Sequence, residues 1–354
     1  MNIGIPKERR TFEFRVGMTP AFVQMLVELG HTCYVEHEAG IEAGFSDQEY
    51  VQAGARVVYS PHEVFGRADL VLKVIRPLLE ELEWMRPDTT IAGLLHLNTT
   101  RSNKLDLIQK KEITAVSYEL IALEDGSVPV RSPLSQIGGM LAAQIAGRLL
   151  QNNAGGKGIL LGGIPGVAPA EIVIIGAGQF GAAAVRAFTG MGAHVTVLDT
   201  SLEALRRIYN RYPSVTTLVA HPYSIGRACV YAVVVLAAVH VPGQLTPTIV
   251  TREMVRSMKP RSVLMDISID DGGCVETSRL TTLEHPTFIE EGVIHYCVPN
   301  IPSLVARTST YAFINAAYPY IFEIVNKGID RAMAENPAIE KGIAVHHGKI
   351  RHLP

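Results

Sequence analysis

Short apolar runs rich in β-branched residues alternate with segments of helical period through the first third of the chain. Residues 2–5, 32–37, 55–59, 68–75, 89–95 and 113–118 have the length and composition of strands. Between the first two, Thr19-Pro20 offers an N-cap and a first-turn proline, and Gly30 a stop, which predicts a helix. Ser46-Asp47-Gln48-Glu49 has the pattern of a capping box. Ile137, Met140, Leu141, Ile145 and Leu149 recur at helical spacing over residues 135–150, and a glycine-rich stretch at 155–166 follows. A second alternating unit begins at Glu171, with strands predicted at 172–175, 194–198, 233–237 and 262–266. A last helical segment over 310–334 comes after this unit in sequence and can pack back on the first. Strands alternating with helices predict an α/β fold with parallel sheets covered on both faces, here two doubly wound parallel-sheet domains.

Composition narrows the class. The 354 residues are 47% hydrophobic and 19% charged, enough apolar material for a sizeable core and too little charge for disorder. A net charge of -2 leaves no electrostatic footprint for nucleic acid or an anionic membrane, so small molecules are the expected partners. Cys33, Cys229, Cys274 and Cys297 are scattered, suggesting neither a zinc site nor a disulfide frame, and they suit a reducing compartment. MNIGIPKERR has no signal-peptide core, and the longest apolar run, 228–239, is shorter than the ~20 residues of a membrane span. A soluble, cytoplasmic protein is expected. In the tail, His346, His347 and His352 have no acid or cysteine beside them to complete a ligand set, so no metal is expected.

One motif points to a cofactor. The apolar run at 171–175 enters Gly176-Ala177-Gly178-Gln179-Phe180-Gly181, a G-x-G-x-x-G that opens a small-residue helix. Gly176 makes a tight turn, Gly178 lets backbone amides approach a pyrophosphate, and Gly181 lets helix and strand pack closely. The helix N-terminus then faces the phosphate charge. The next strand ends in Asp199, near the ~20-residue spacing of an acid that accepts hydrogen bonds from ribose hydroxyls. Thr200 and Ser201 follow it rather than a basic residue, which favours NAD over NADP.

Polar residues also stand at the ends of apolar runs, where open α/β sheets bind ligands. Arg15 is suited to clamp a carboxylate through two hydrogen bonds. His96 is suited to exchange a proton during hydride transfer. Asp270 and Asp271 follow the 262–269 run, and Asn300 lies in a Val-Pro-Asn-Ile-Pro turn.

These segments resemble the alanine dehydrogenase family. The likeness begins in GIPKERRTFEFRVGMTP and runs through HEAGIEAGFSDQEYVQAGA, GGKGILLGGIPGV, GAGQFG, DISIDDGGC and VPNIPSLVARTSTY to INAAYPY, nearly the whole chain. The family is related to the NAD-binding domain of proton-pumping transhydrogenases and, more distantly, to saccharopine-type dehydrogenases. The resemblance implies a discontinuous substrate domain, 1–130 plus 308–354, around a central Rossmann NAD-binding domain, 131–307. It also implies a homo-oligomer, commonly a homohexamer. By the same resemblance Arg15 holds the substrate carboxylate, His96 and Asp270 are catalytic, and Asn300 lies near substrate and nicotinamide. Ser135, Gly176, Gly178, Gln179, Phe180, Gly181, Asp199, Val239, His240 and Ile267 fall at the NAD site.

One position departs from the pattern. The family has K-V-K-E-P where this chain has Lys73-Val74-Ile75-Arg76-Pro77, so the substrate-contacting lysine is Ile75. Pro299, Ile301 and His240 also differ from the family's residues, and Asn98 stands close to His96. The expected activity is hydride transfer between NAD(H) and the α-carbon of an amino acid, 2-oxo acid or imine. Loss of a cation favours a substrate other than alanine. The alternatives are an ordinary L-alanine dehydrogenase, with Lys73 or Arg76 standing in, and a non-catalytic or transhydrogenase-like NAD-binding subunit.

Overall fold

The computed structural model describes residues 1–97, 100, 102–241 and 245–352. Asn98, and Pro242 and Gly243 of the loop after Val239, lie outside the described residues. The chain divides into two compact units, Met1–Leu134 with Ser303–Pro354, and Ser135–Pro302.

The first unit carries β1 (Asn2–Ile5), β2 (Thr32–Glu36), β3 (Arg56–Val58), β4 (Leu70–Ile75), β5 (Thr90–Leu94) and β6 (Thr114–Ser117). Its spatial order is β3-β2-β1-β4-β5-β6, with all neighbours parallel. The order reverses between β1 and β4, and the crevice beyond the carboxyl ends of such strands is where doubly wound sheets bind ligands. The middle strands are buried on both faces, which explains their continuous apolar runs. The helix Pro20–Glu28 forms where expected, with Thr19 at its N-cap and Gly30 at positive φ beyond its end; the Thr19 hydroxyl, however, makes no capping bond. The Ser46–Glu49 capping box is complete in both directions.

The second unit carries β7 (Glu171–Ile175), β8 (His194–Asp199), β9 (Thr216–Val219), β10 (Val234–Ala237), β11 (Val263–Asp266), β12 (Thr287–Glu290) and β13 (Val293–Tyr296). Their order is β12-β13-β11-β10-β7-β8-β9, parallel except for the β12–β13 pair, with the reversal between β7 and β10. The core lies where Val173, Ile175, Val235, Ala237 and Leu264 meet Ile225, Cys229 and Val255.

The C-terminal part differs from the expected single helix. Ala306–Lys327 buries Phe313, Ile314, Ala317, Ile321 and Ile324 along one face, then ends at Gly328, whose φ of 79° no continuing helix permits. A second helix, Ile329–Glu335, starts there. The chain then adds β14 (Ile343–His346), antiparallel to β6, and β15 (Lys349–Ile350). Neither these two strands nor β9, β12 and β13 were expected from the pattern. All five are four residues or shorter.

Among the described residues no helix is long and apolar enough to cross a membrane.

Candidate functional site

In the first unit, three segments leave the sheet around the β1/β4 reversal. The loop after β1 carries Arg15, which is buried. Its Nε donates to Glu13 Oε1 at 2.7 Å and its Nη2 to Glu13 Oε2 at 2.6 Å. The loop is tied down from the C-terminal segment. Phe14 N donates to Ser303 Oγ at 3.0 Å, Ser303 Oγ donates to Phe12 O at 2.6 Å, and Val16 N donates to Thr310 Oγ1 at 3.4 Å. One edge of the guanidinium is therefore fixed before any ligand arrives.

β4 ends at Ile75, which is half-buried and pairs in register with Leu94 after an irregularity that follows Leu72. Lys73, two residues earlier, is not near the strand's end in function. It is fully buried, with Nζ 2.9 Å from Glu8 Oε2 and 2.8 Å from Glu81 Oε1. Burial alone would lower its ammonium, but the two carboxylates override this and hold it above the ordinary lysine value. Burial pushes the Glu8 carboxyl up, against the pull of Lys73. Glu8 also accepts from Val74 N at 2.7 Å, and Glu81 from Leu78 N at 2.7 Å, so the triad clamps the exit of β4. Arg76 lies beyond the strand, where its carbonyl accepts from Arg10 Nε at 3.0 Å.

His96 follows β5 in the left-handed region, at φ 43°. Its N–H and that of Leu95 donate to the two carboxylate oxygens of Glu119, at 2.6 and 3.1 Å. Glu119 sits just after β6, so the exits of two neighbouring strands hold the histidine's backbone in an unusual conformation.

In the second unit the glycine motif behaves as its spacing requires. A Cβ on Gly176 would meet Ala238 O at 2.2 Å, and one on Gly181 would meet Gly176 O at 1.8 Å. A Cβ on Gly178 would meet nothing within 4 Å. The outer glycines are needed for packing within the chain; the middle one faces open space, as the approach of a pyrophosphate demands. The helix Gln179–Gly190 opens there with no acidic residue in its first turn to oppose an anion. Asp199 accepts from Ala177 N at 2.6 Å and from Ser201 N at 2.7 Å, so the acid that ends β8 also shapes the glycine turn. Ser135 lies in the first turn of the helix Ser132–Leu149, next to Gln136, whose Nε2 donates to Gln179 Oε1 at 3.4 Å. Gly139 lets that helix approach: a Cβ there would meet Phe180 O at 2.3 Å.

At the ends of β10 and β11, Val239 N donates to Ser268 Oγ at 3.0 Å and Ser268 Oγ donates to Val239 O at 2.7 Å. Ile267 begins the turn Ile267–Asp271, whose entry is fixed by buried Asp266, an acceptor for Ser268, Cys274 and Val275 N–H. His240 Nδ1 lies 2.9 Å from Asp271 Oδ2. Asn300, at φ 53°, donates its N–H toward Asp270 Oδ2 at 3.5 Å. The strand-end carboxylate and the asparagine named from sequence are thus brought together.

In the first unit Arg15, Ile75 and His96 stand on or just beyond the segments that leave β1, β4 and β5. In the second, Gly176, Gly178, Gln179, Phe180, Gly181 and Asp199 stand at the ends of β7 and β8, Val239, His240, Ile267 and Asp270 beyond β10 and β11, with Asn300 beside Asp270, and Ser135 on the helix that reaches Gln179 through Gln136. The supporting residues Glu13, Glu119, Glu8, Glu81 and Ser268 were not singled out from the sequence. Glu8, Glu119 and Ser268 act on partners distant in the chain, and neither spacing nor composition marks Glu13 or Glu81 as a partner of Arg15 or Lys73. The tail needs a correction: no acid neighbours His346 and His347 in sequence, but the fold brings Asp330 to both.

The matches to known proteins cover nearly the whole chain. Residues 4–138 match the model "Alanine dehydrogenase/PNT, N-terminal domain" and residues 142–353 the model "Alanine dehydrogenase/PNT, C-terminal domain". The chain is 43% identical to an alanine dehydrogenase of Methanococcus maripaludis over 354 residues, covering 99% of this chain and 95% of that one. It is 42% identical to the alanine dehydrogenase of Geobacillus stearothermophilus, covering 99% and 94%. A solved structure titled L-alanine dehydrogenase superposes with a TM-score of 0.95 at 39% identity, covering 99% and 97%. A transhydrogenase from Sinorhizobium meliloti shares the fold, with a TM-score of 0.85 at 22% identity and 99% of both chains covered.

Proposed function

The chain belongs to the alanine dehydrogenase/PNT family, and from that premise we propose that it is an L-alanine dehydrogenase. It is an NAD-dependent oxidoreductase acting on the CH–NH group of an amino acid. The proposed reaction is L-alanine + NAD⁺ + H₂O → pyruvate + NH₄⁺ + NADH + H⁺. The observation that carries the choice of alanine is full-length identity near 40% to proteins of that name. A different amino acid has only Ile75 in its favour, and a non-catalytic or transhydrogenase-like subunit only Ile75 and the altered Pro299-Asn300-Ile301 turn.

The Met1–Leu134 and Ser303–Pro354 unit is the proposed substrate unit, and Ser135–Pro302 the NAD unit. Glu13 presents the Arg15 guanidinium in a fixed plane, which suits it to bind the substrate carboxylate. His96 is the proposed proton acceptor as the amine becomes an imine and then a carbinolamine, its backbone set by Glu119. Asp270, beside Asn300, is the proposed group that orients water and stabilises developing positive charge. The glycine turn and Asp199 are the proposed holders of NAD, which when bound would supply the hydride acceptor. Ile75 takes the place of a cation near the substrate, so the rate is expected to be below that of a chain carrying the lysine.

The test is NADH oxidation with pyruvate and ammonium, run beside a panel of other 2-oxo acids. Preference for pyruvate, with kcat falling roughly 10²–10⁴-fold in His96→Ala, supports the reading. Preference for another oxo acid, or unchanged turnover in His96→Ala, overturns it.

A further inference from the structure

The C-terminal hairpin carries a cluster that the reaction does not use. His346 ends β14, and His347 and Gly348 form the two-residue turn into β15, with φ of 45° and 72°. The turn leaves two consecutive imidazoles together, ring centroids 4.4 Å apart. Asp330, from the first turn of the helix Ile329–Glu335, reaches both: its Oδ1 is 2.8 Å from His346 Nε2 and 3.9 Å from His347 Nε2. Asp88, in the turn before β5, takes the other side of His347, with Oδ1 2.7 Å from Nδ1.

That second carboxylate decides what the cluster can hold. An ionised carboxylate only accepts, so Asp88 fixes the proton of His347 on Nδ1. The other nitrogen, Nε2, faces Asp330 Oδ1 across 3.9 Å, which leaves room for an ion between them. Carboxylate–imidazole–metal is a common arrangement in which the outer carboxylate orients the ring. The ligand atoms of Asp330, His346 and His347 lie within 4.8 Å of one another. A tetrahedral zinc with bonds of ~2.0–2.1 Å needs ligand atoms about 3.3 Å apart. The two Asp330 separations bracket that value, and the two imidazoles, within the same 4.8 Å, close on the ion by side-chain rotation.

The geometry points to a divalent transition-metal site of the zinc class, held by His346, His347 and Asp330 with water at the open position. It joins the sheet-edge hairpin to the helix Ile329–Glu335, and Asp88 orients one ligand from a third segment. Two imidazoles and one carboxylate favour Zn²⁺ over Mg²⁺ or Ca²⁺, which prefer all-oxygen shells. The role is structural: the ion clips the end of the chain to the body of its unit, and it stabilises the folded state by binding only there.

The experiment uses the full chain without any affinity tag, stripped of metal and titrated with Zn²⁺ alone by calorimetry, with melting followed in parallel. The expected result is one saturable ion per chain at micromolar Zn²⁺, a raised melting temperature, and no such binding of Mg²⁺. His346→Ala, His347→Ala and Asp330→Ala are each expected to weaken binding by at least about tenfold, and Asp88→Asn by about tenfold. All four side chains lie at the surface or close to it, and circular dichroism of each variant checks that its fold is kept. Absence of saturable Zn²⁺ binding overturns the proposal. So does binding that persists undiminished in the His346→Ala/Asp330→Ala double variant.

Discussion

Glu13 grips Arg15 along one edge of its guanidinium, with bonds of 2.7 and 2.6 Å and both side chains 1% exposed. A pair this dry keeps the arginine's plane constant whether or not substrate is present. Lysine has no such fork, so Arg15→Lys loses both the grip and planar recognition of a carboxylate. Its KM for pyruvate is expected to rise by about 10–10²-fold, in line with ~1.5–3 kcal/mol for a charge-assisted hydrogen bond. Glu13→Gln leaves a buried charge poorly paired and is expected to cost about 3–5 kcal/mol of stability. Steady-state kinetics and denaturant melts check both; an unchanged KM in Arg15→Lys would remove the arginine from the substrate site.

The glycine turn separates folding from binding. In Gly181→Ala the new methyl would sit 1.8 Å from Gly176 O, so backbone must move, at a cost of ~1–3 kcal/mol. In Gly178→Ala the methyl meets no atom of the chain, so stability stays within ~0.5 kcal/mol. At the proposed NAD site that methyl would stand in the path of the pyrophosphate, and the Kd for NAD is expected to rise more than about tenfold. Equal NAD affinity in Gly178→Ala and wild type would place the cofactor elsewhere.

The glycines and the parallel strands were legible in the sequence because their signals are local. An apolar run reports a strand buried on both faces, and a G-x-G-x-x-G reports a turn that only glycine can make. Gly328 was legible in principle, as a glycine inside a helical pattern, yet the break depends on a φ of 79° that no periodicity reveals. The supports of the site were not legible. Glu119 reaches the amide of His96 across 23 residues, and Glu8 reaches Val74 across 66. Lys73 illustrates the limit: the sequence offers it as a stand-in for the family lysine, and only the fold shows it committed to two buried carboxylates.

The four cysteines are buried and reduced. Burial pushes the Cys33 thiol up to about 12 and Cys229 up to about 11. In the unfolded chain both ionise near 9.0, so folded protein keeps protons that unfolded protein loses. The stability they contribute is full below pH 9 and is lost as pH rises through about 11 to 12. At pH 8 none of the four is expected to react with a thiol reagent until denaturant is added. Rapid labelling of Cys33 or Cys229 in the native state would contradict this.

Ile75 poses the sharpest question about rate. Lys73 cannot supply the cation that the family resemblance places at position 75, because withdrawing it would strand Glu8 and Glu81 in the core. Lys73→Met should accordingly destabilise the chain by about 3–5 kcal/mol, the usual cost of breaking a buried ion pair from one side. Ile75→Lys does the reverse. Position 75 is half-buried at the carboxyl end of β4, in register with Leu94. Partial burial lowers an introduced ammonium, toward the range useful for proton transfer. With pyruvate and ammonium, kcat/KM in Ile75→Lys is expected to rise by about 10–10²-fold, while the melting temperature changes little. The gain should appear on the alkaline side of the pH–rate profile as a new ionisation absent from wild type. A rate that is unchanged or lower, in a variant that melts normally, would mean the site has been rebuilt around an apolar wall. The preferred oxo acid would then be one whose side chain packs against Ile75.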